Sequence, residues 1–194
     1  MTAGAAVFDF DRTLVRHETM AMYLRLAVGR GVYLSACCTA GAKAAVVPPA
    51  KRMDVFRAEL LRRTLMGKSV SEAGLAAERL FPRLGWIRRI TDELAAHQGA
   101  GRKVLVATGS LSVYMPIILA RKGISVDGLL STEMEVQDGV LTGEMATPSC
   151  TWTEKARRVQ EWLADVKGPV WGYGNMPHDG AMLELTDHPT IVPV

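Results

Sequence analysis

The feature that most narrows the fold is a short apolar run that ends abruptly in acid. Residues 4–10 are compact and apolar, and they pass directly into Asp9-Phe10-Asp11-Arg12-Thr13. A run of this length reads as a buried strand whose carboxyl end carries polar groups. From about Glu18 to Gln98 the pattern turns helical, with apolar residues spaced by three and four, as in Met22 and Leu26 or Leu61 and Leu65. Gly29-Arg30-Gly31, Pro48-Pro49, Gly67-Lys68-Ser69 and Pro82 divide this block into about four or five helices with no strand.

From Lys103 onward strands and helices alternate. Val104 to Thr108 is a strand, and Ser110 is expected to cap a helix running through Tyr114 to Lys122. Residues 133–137 and 140–144 flank Asp138-Gly139, the turn pair of a type I′ hairpin. A helix over 153–164, a strand over 169–173, a helix near 181–185 and a strand over 190–192 follow. This alternation predicts an α/β fold: a Rossmann-like, doubly wound, mostly parallel sheet in three layers. The core would comprise residues 1–15 and 99–194, with an all-helical cap inserted over 16–98 and hinged near Val15 and Gly99. In such sheets ligands bind beyond the carboxyl ends of the strands. The ends named here are Asp9/Asp11, Thr108/Ser110 and Gly172 to Asp179.

Composition excludes several classes. The 194 residues suit one domain, and 48% hydrophobic with 22% charged residues can bury a core. A net charge of +3 with scattered basic residues and 6% aromatics does not describe a nucleic-acid reader. Cys37, Cys38 and Cys150 form neither a disulfide framework nor a zinc ribbon, which fits a reducing compartment. The N-terminus has no basic region and reaches acid by Asp9, unlike a signal peptide. The apolar stretch Val32 to Pro49 is interrupted by Gly41 and Lys43, short of the ~20 apolar residues of a spanning helix. A cytoplasmic protein without stable membrane insertion is expected, with lipid contact by 32–47 left open.

Two carboxylates two residues apart after a buried strand can share work, one attacking or binding metal and the other handling a proton. Like charges so close need a cation or a shared proton, and a divalent metal with oxygen ligands satisfies them. Acids at strand ends are also commonly just solvated. Here complementary polar residues sit at other strand ends, which favours a site.

With these residues in hand, the chain resembles the haloacid dehalogenase superfamily, in its phosphoserine-phosphatase-like branch. Asp9 to Val15 matches Asp-Phe-Asp-x-Thr-Leu-Val, Val104 to Thr108 the apolar strand ending in Thr or Ser, and Lys155 the lysine entering a helix. Gly174-Asn175 with Asp179 matches the fourth motif, and the motifs stand in family order. The resemblance implies that Asp9 attacks phosphorus and forms an aspartyl-phosphate. Asp11 would protonate the leaving oxygen and later deprotonate water. Lys155 would add positive charge, and Thr108 with the amide of Gly109, near a helix start, would bind phosphoryl oxygens. Mg²⁺ would be held by Asp9, the Asp11 carbonyl, Asn175 and Asp179. Asn175 departs from the family's usual Asp, which removes one formal charge. The chain also ends at Val194, right after its last predicted strand.

The implied substrate contacts are Phe10, Glu18, Thr108 and Gly109, with Glu18 at the position that meets a substrate amine. Arg57, Arg62 and Arg63 are candidates for a carboxylate, and each is equally a solvated helix face. Met20, Met22, Met53 and Met66 read as gap-fillers in the cap, or else as a deformable substrate surface. Trp152 and Trp162 are expected to pack against the sheet, and Cys150 to be a small buried residue. The leading function is a Mg²⁺-dependent phosphomonoesterase for a small phosphorylated metabolite, without nucleic-acid partners. The alternatives are a phospho-accepting signalling module, a noncatalytic binding protein, and a lipid-phosphate phosphatase using the apolar segment 32–47.

Overall fold

The computed structural model describes residues 4–193; residues 1–3 and 194, assigned to the core from sequence, lie outside the described residues. The chain opens with β1 (Ala5–Phe8) and passes through α1 (Thr19–Val28), α2 (Arg30–Ala45), α3 (Arg52–Leu65), α4 (Val70–Leu80) and α5 (Arg88–Gly99). Next come β2 (Lys103–Leu111), α6 (Met115–Lys122), β3 (Gly128–Thr132) and the hairpin β4 (Met134–Gln137) and β5 (Val140–Met145). α7 (Trp152–Leu163), β6 (Val170–Gly174), α8 (Gly180–Leu183) and β7 (His188–Ile191) complete the fold.

The main sheet has the order β3-β2-β1-β6-β7 with every pairing parallel, so β1 lies at its centre. Side chains alternate across a strand, and the two faces feed separate layers. Ala6, Phe8, Val104 and Val106 pack with Ile90 and Leu94 of α5 and Ile118 of α6. Val7, Leu105 and Ala107 pack with Val159 of α7 and Met182 of α8. This is the three-layer α/β fold expected from the alternating pattern.

Local chemistry sets the breaks between helices. Gly29 at φ 81° and ψ 160° separates α1 from α2, a conformation open to glycine but not to residues with a Cβ. Ser69 and Glu72 form a reciprocal capping box at the start of α4. Asp138 and Gly139, at φ 49° and 79°, turn the hairpin as the sequence predicted.

Four features differ from the sequence reading. β3 was not foreseen; its Gly-Leu-Leu-Ser-Thr is an edge strand with only two large apolar side chains. β2 continues through an irregular register between Ala107 and Leu111, so Ser110 lies in the strand and α6 starts only at Met115. α5 packs on β1 and β2 rather than standing off the sheet, with His97 set edge-on to Phe8. The rest of the helical block is α1 to α4, of which α1 touches β2, and the hairpin joins it: β5 packs on α3, and Gly67 N–H donates to Leu141 O at 2.9 Å.

Candidate active site

The site lies beyond the carboxyl ends of β1, β2 and β6. After β1 the backbone curls tightly: the N–H groups of Thr13, Leu14 and Val15 all donate to Phe10 O, at 3.2, 2.9 and 3.1 Å. Arg12 takes φ 59° within this curl. Asp9 N–H is held by Tyr173 O at 2.9 Å, which ties the curl to β6.

At the floor, buried Lys155 donates from Nζ to Asp9 Oδ1 and Asp179 Oδ1, both at 2.7 Å. Burial alone would lower the lysine pKa, yet the facing carboxylates reverse this and hold it above its ordinary value. Burial pushes the Asp9 carboxyl up against the pull of Lys155, and Asp179 adds to the rise. Asp11 is pushed up to about 7, mainly by burial, with hydrogen bonds from Thr19 opposing. The charge balance is three carboxylates against Lys155.

Asn175 projects its side-chain amide into this group. Its Nδ2 lies 3.3 Å from Asp9 Oδ2, 3.0 Å from the Asp11 carbonyl and 3.3 Å from Thr13 Oγ1. An amide nitrogen has two hydrogens for these three oxygens. Turning the amide would present Oδ1 instead, making a three-oxygen face with Asp9 Oδ2 and the Asp11 carbonyl. Such hard donors in an excess of negative charge fit Mg²⁺. Among the described residues no three His, Cys, Asp or Glu gather to hold a metal, so backbone and amide oxygens must complete the set.

Asp179, expected as a metal ligand, accepts from Lys155 on Oδ1 and from the Asn175 backbone N–H on Oδ2 at 2.9 Å. The Phe10 side chain is fully buried and edge-on to Trp86 in the core, so its ring does not line the cavity.

These residues floor a cavity of about 330 Å³ that Thr108, Gly109, Glu18 and Arg57 also line. Thr108 and Gly109 sit in the irregular part of β2, not near a helix start, so no helix dipole assists there. A Cβ at Gly109 would lie 2.7 Å from Thr151 Cγ2. Glu18 is paired with Arg12 at 3.1 Å. Among the three arginines, only Arg57 lines the cavity, donating to Ser149 Oγ at 2.5 Å, whereas Arg62 and Arg63 are committed to Glu59. Met20 and Met53 line the cavity, while Met22 packs in the core and Met66 is exposed. Trp162 packs near Leu105, but Trp152 is half exposed at the cavity rim, 4.5 Å from the His178 ring. Sequence reasoning missed Thr19 and Tyr114, which no local motif marks.

A family model described as haloacid dehalogenase-like hydrolase matches residues 6–184. The chain belongs to that family. A phosphoserine phosphatase of Idiomarina loihiensis is 25% identical over 187 residues, covering 94% of this chain and 79% of that protein. A solved HAD family hydrolase from Salmonella enterica serovar Typhi is similar in fold, with TM-score 0.67 and 18% identity. That match covers 95% of this chain, which spans 60% of the Salmonella chain. A phosphoserine phosphatase solved as a phospho-aspartyl intermediate analogue has TM-score 0.64 and 16% identity, over 98% of this chain and 87% of its own. The protein is thus a haloacid dehalogenase-like hydrolase, similar in sequence to a phosphoserine phosphatase. Among the described residues no helix is long and apolar enough to cross a membrane.

Proposed function

We propose that this protein is a Mg²⁺-dependent phosphomonoesterase that hydrolyses a small phosphorylated metabolite through an aspartyl-phosphate on Asp9. The observation that carries the proposal is the buried Lys155 between Asp9 and Asp179, beside the oxygens of Asp9 and Asp11 that converge on Asn175. Lys155 keeps Asp9 ionised and adds positive charge where phosphoryl oxygens approach. Asp9 attacks phosphorus, and Asp11 supplies the proton to the departing alcohol oxygen and then takes one from the hydrolytic water. Thr108 and Gly109 bound the phosphoryl group on the β2 side. Mg²⁺, held by Asp9, the Asp11 carbonyl and Asn175, would offset the charge on the phosphoryl oxygens.

In this reading α1 to α4 form a cap over the cavity, and α5 belongs with the sheet. Glu18 and Arg57 both line the cavity and have the charges to meet an ammonium and a carboxylate, which makes phosphoserine the first ester to test. None of residues 32–47 lines the cavity, so the apolar segment does not shape a pocket for a greasy alcohol.

The deciding experiment measures phosphate release from an aryl phosphate and from phosphoserine, by wild type and Asp9→Asn, in Mg²⁺ and in chelator. Release by wild type alone and only with Mg²⁺ is expected. No release in any condition would turn the assignment toward a noncatalytic binding protein.

A further inference from the structure

Asp11 is gripped from behind. Its Oδ1 accepts the Thr19 N–H at 3.1 Å and the Thr19 hydroxyl at 2.6 Å, while Oδ2 accepts the Ser110 hydroxyl at 2.8 Å. Thr19 Oγ1 lies 2.9 Å from the Tyr114 hydroxyl and 3.0 Å from Ser110 Oγ. Thr19, Ser110 and Tyr114 are all fully buried.

Each hydroxyl has a single proton, so the directions can be assigned. Thr19 gives its proton to Oδ1 and Ser110 gives its own to Oδ2, which leaves Tyr114 to donate to Thr19 Oγ1. Oδ1 then has both in-plane lone pairs occupied, whereas Oδ2 keeps one free. Thr19 is also the first residue of α1, whose terminal N–H groups lack intrahelical partners. Glu18, in the cap position, makes no side-chain cap bond, and Asp11 fills that role from the preceding loop.

We propose that Thr19 and Ser110 are positioning residues for Asp11, fixing its carboxyl so that Oδ2 is the oxygen that delivers the proton to the leaving group. This rests on the phosphatase reading with Asp11 as general acid. In the step, an Asp9 oxygen bonds to phosphorus as the ester P–O bond breaks. The proton on Asp11 Oδ2 passes to the ester oxygen, which departs as neutral alcohol. The carboxylate left on Asp11 is held by the three donors already in place. Because Thr19 opens α1 and Ser110 lies in β2, the grip ties the insertion to the sheet at the acid itself.

The test is the dependence of kcat/KM on leaving-group acidity across aryl phosphates of similar shape, from nitrophenyl to methoxyphenyl phosphate. Wild type, Thr19→Val, Thr19→Ser, Ser110→Ala and Tyr114→Phe are compared, with thermal melts to confirm folding. General acid catalysis contributes roughly 10²–10⁴-fold where a poor leaving group needs its proton. Thr19→Val and Ser110→Ala should therefore lose about tenfold or more on the least acidic phenol and much less on nitrophenol, steepening the slope. Thr19→Ser, which keeps the hydroxyl, should restore the wild-type slope. If Thr19→Val fails to fold, Ser110→Ala and Tyr114→Phe carry the comparison. An unchanged slope in folded Thr19→Val and Ser110→Ala, or a uniform loss across the series, would overturn the positioning role while leaving the phosphatase assignment intact. Wild type that releases phosphate from none of the esters would overturn both.

Discussion

At the residue scale, Asn175 is the decisive departure from the family pattern. Its amide meets Asp9 Oδ2 and the Asp11 carbonyl, where an aspartate would add a further charge. Asn175→Asp should lower Tm in chelator, because the change removes an amide donor and adds like charge, a loss of about 1–3 kcal/mol. Mg²⁺ should then raise Tm more in the variant than in wild type. An equal rise in both would place the metal away from residue 175. Asp9, Lys155 and Thr108 were legible from sequence because each sits at a recognisable strand end or helix start. At Asp179, only the fold shows Lys155 and the backbone N–H of Asn175 reaching its two oxygens. Between two site carboxylates, Phe10 turns its ring into the core, a direction that only the packing reveals.

At the element scale, close approach around β2 explains one glycine. Gly109→Ala would press its Cβ against Thr151 Cγ2, and overpacking of this kind costs about 1–3 kcal/mol. Adding Thr151→Ser removes the opposing methyl, so the double variant should regain most of the lost urea stability. Simple additivity of the two changes would refute the clash. α2 and α3 carry a second testable element, in which buried Glu59 meets Lys43 at 2.7 Å, Arg62 at 2.9 Å and Arg63 at 2.5 Å. Hydrogen bonds from Arg62 and then Lys43 hold its pKa down to about 2, from an ordinary 4.5. A depressed carboxylate stabilises the fold fully above its unfolded pKa and loses that stabilisation as pH falls through the folded one. Wild type should therefore lose stability from pH 4.5 down to about 2 more steeply than Glu59→Gln, as read by urea denaturation at each pH. Parallel pH curves would deny the cluster this role. Spacing alone reveals the Glu59 pairs with Arg62 and Arg63, three and four residues on, but not the one with Lys43, which forms only once α2 folds back on α3.

At the scale of the whole molecule, one hydrophobic cluster runs from the sheet through α5 and α6 into the insertion, joining Phe8, Leu94 and Met115 to Tyr23, Leu61 and Leu80. A shared core of this kind predicts cooperative unfolding of the sheet and the insertion together. Far-UV circular dichroism and tryptophan fluorescence should report coincident thermal transitions. Two separated transitions would mean that the insertion melts on its own. Leu61→Ala, at a fully buried position of α3, should cost about 2–5 kcal/mol and shift both signals equally.

The sequence alone determined the strand–helix alternation, the helical character of the insertion and the motif residues, because these depend on periodicity and on neighbours a few positions apart. Only the tertiary structure decided that α5 joins the sheet, that β3 forms an edge strand, and that Arg57 rather than Arg62 or Arg63 reaches the cavity. It also brought Ser110 to Asp11 across 99 residues of sequence, and Ser110 and Tyr114 to Thr19 across 91 and 95. Burial and the direction of a side chain arise from which elements pack together, and that information is carried by contacts between distant parts of the chain.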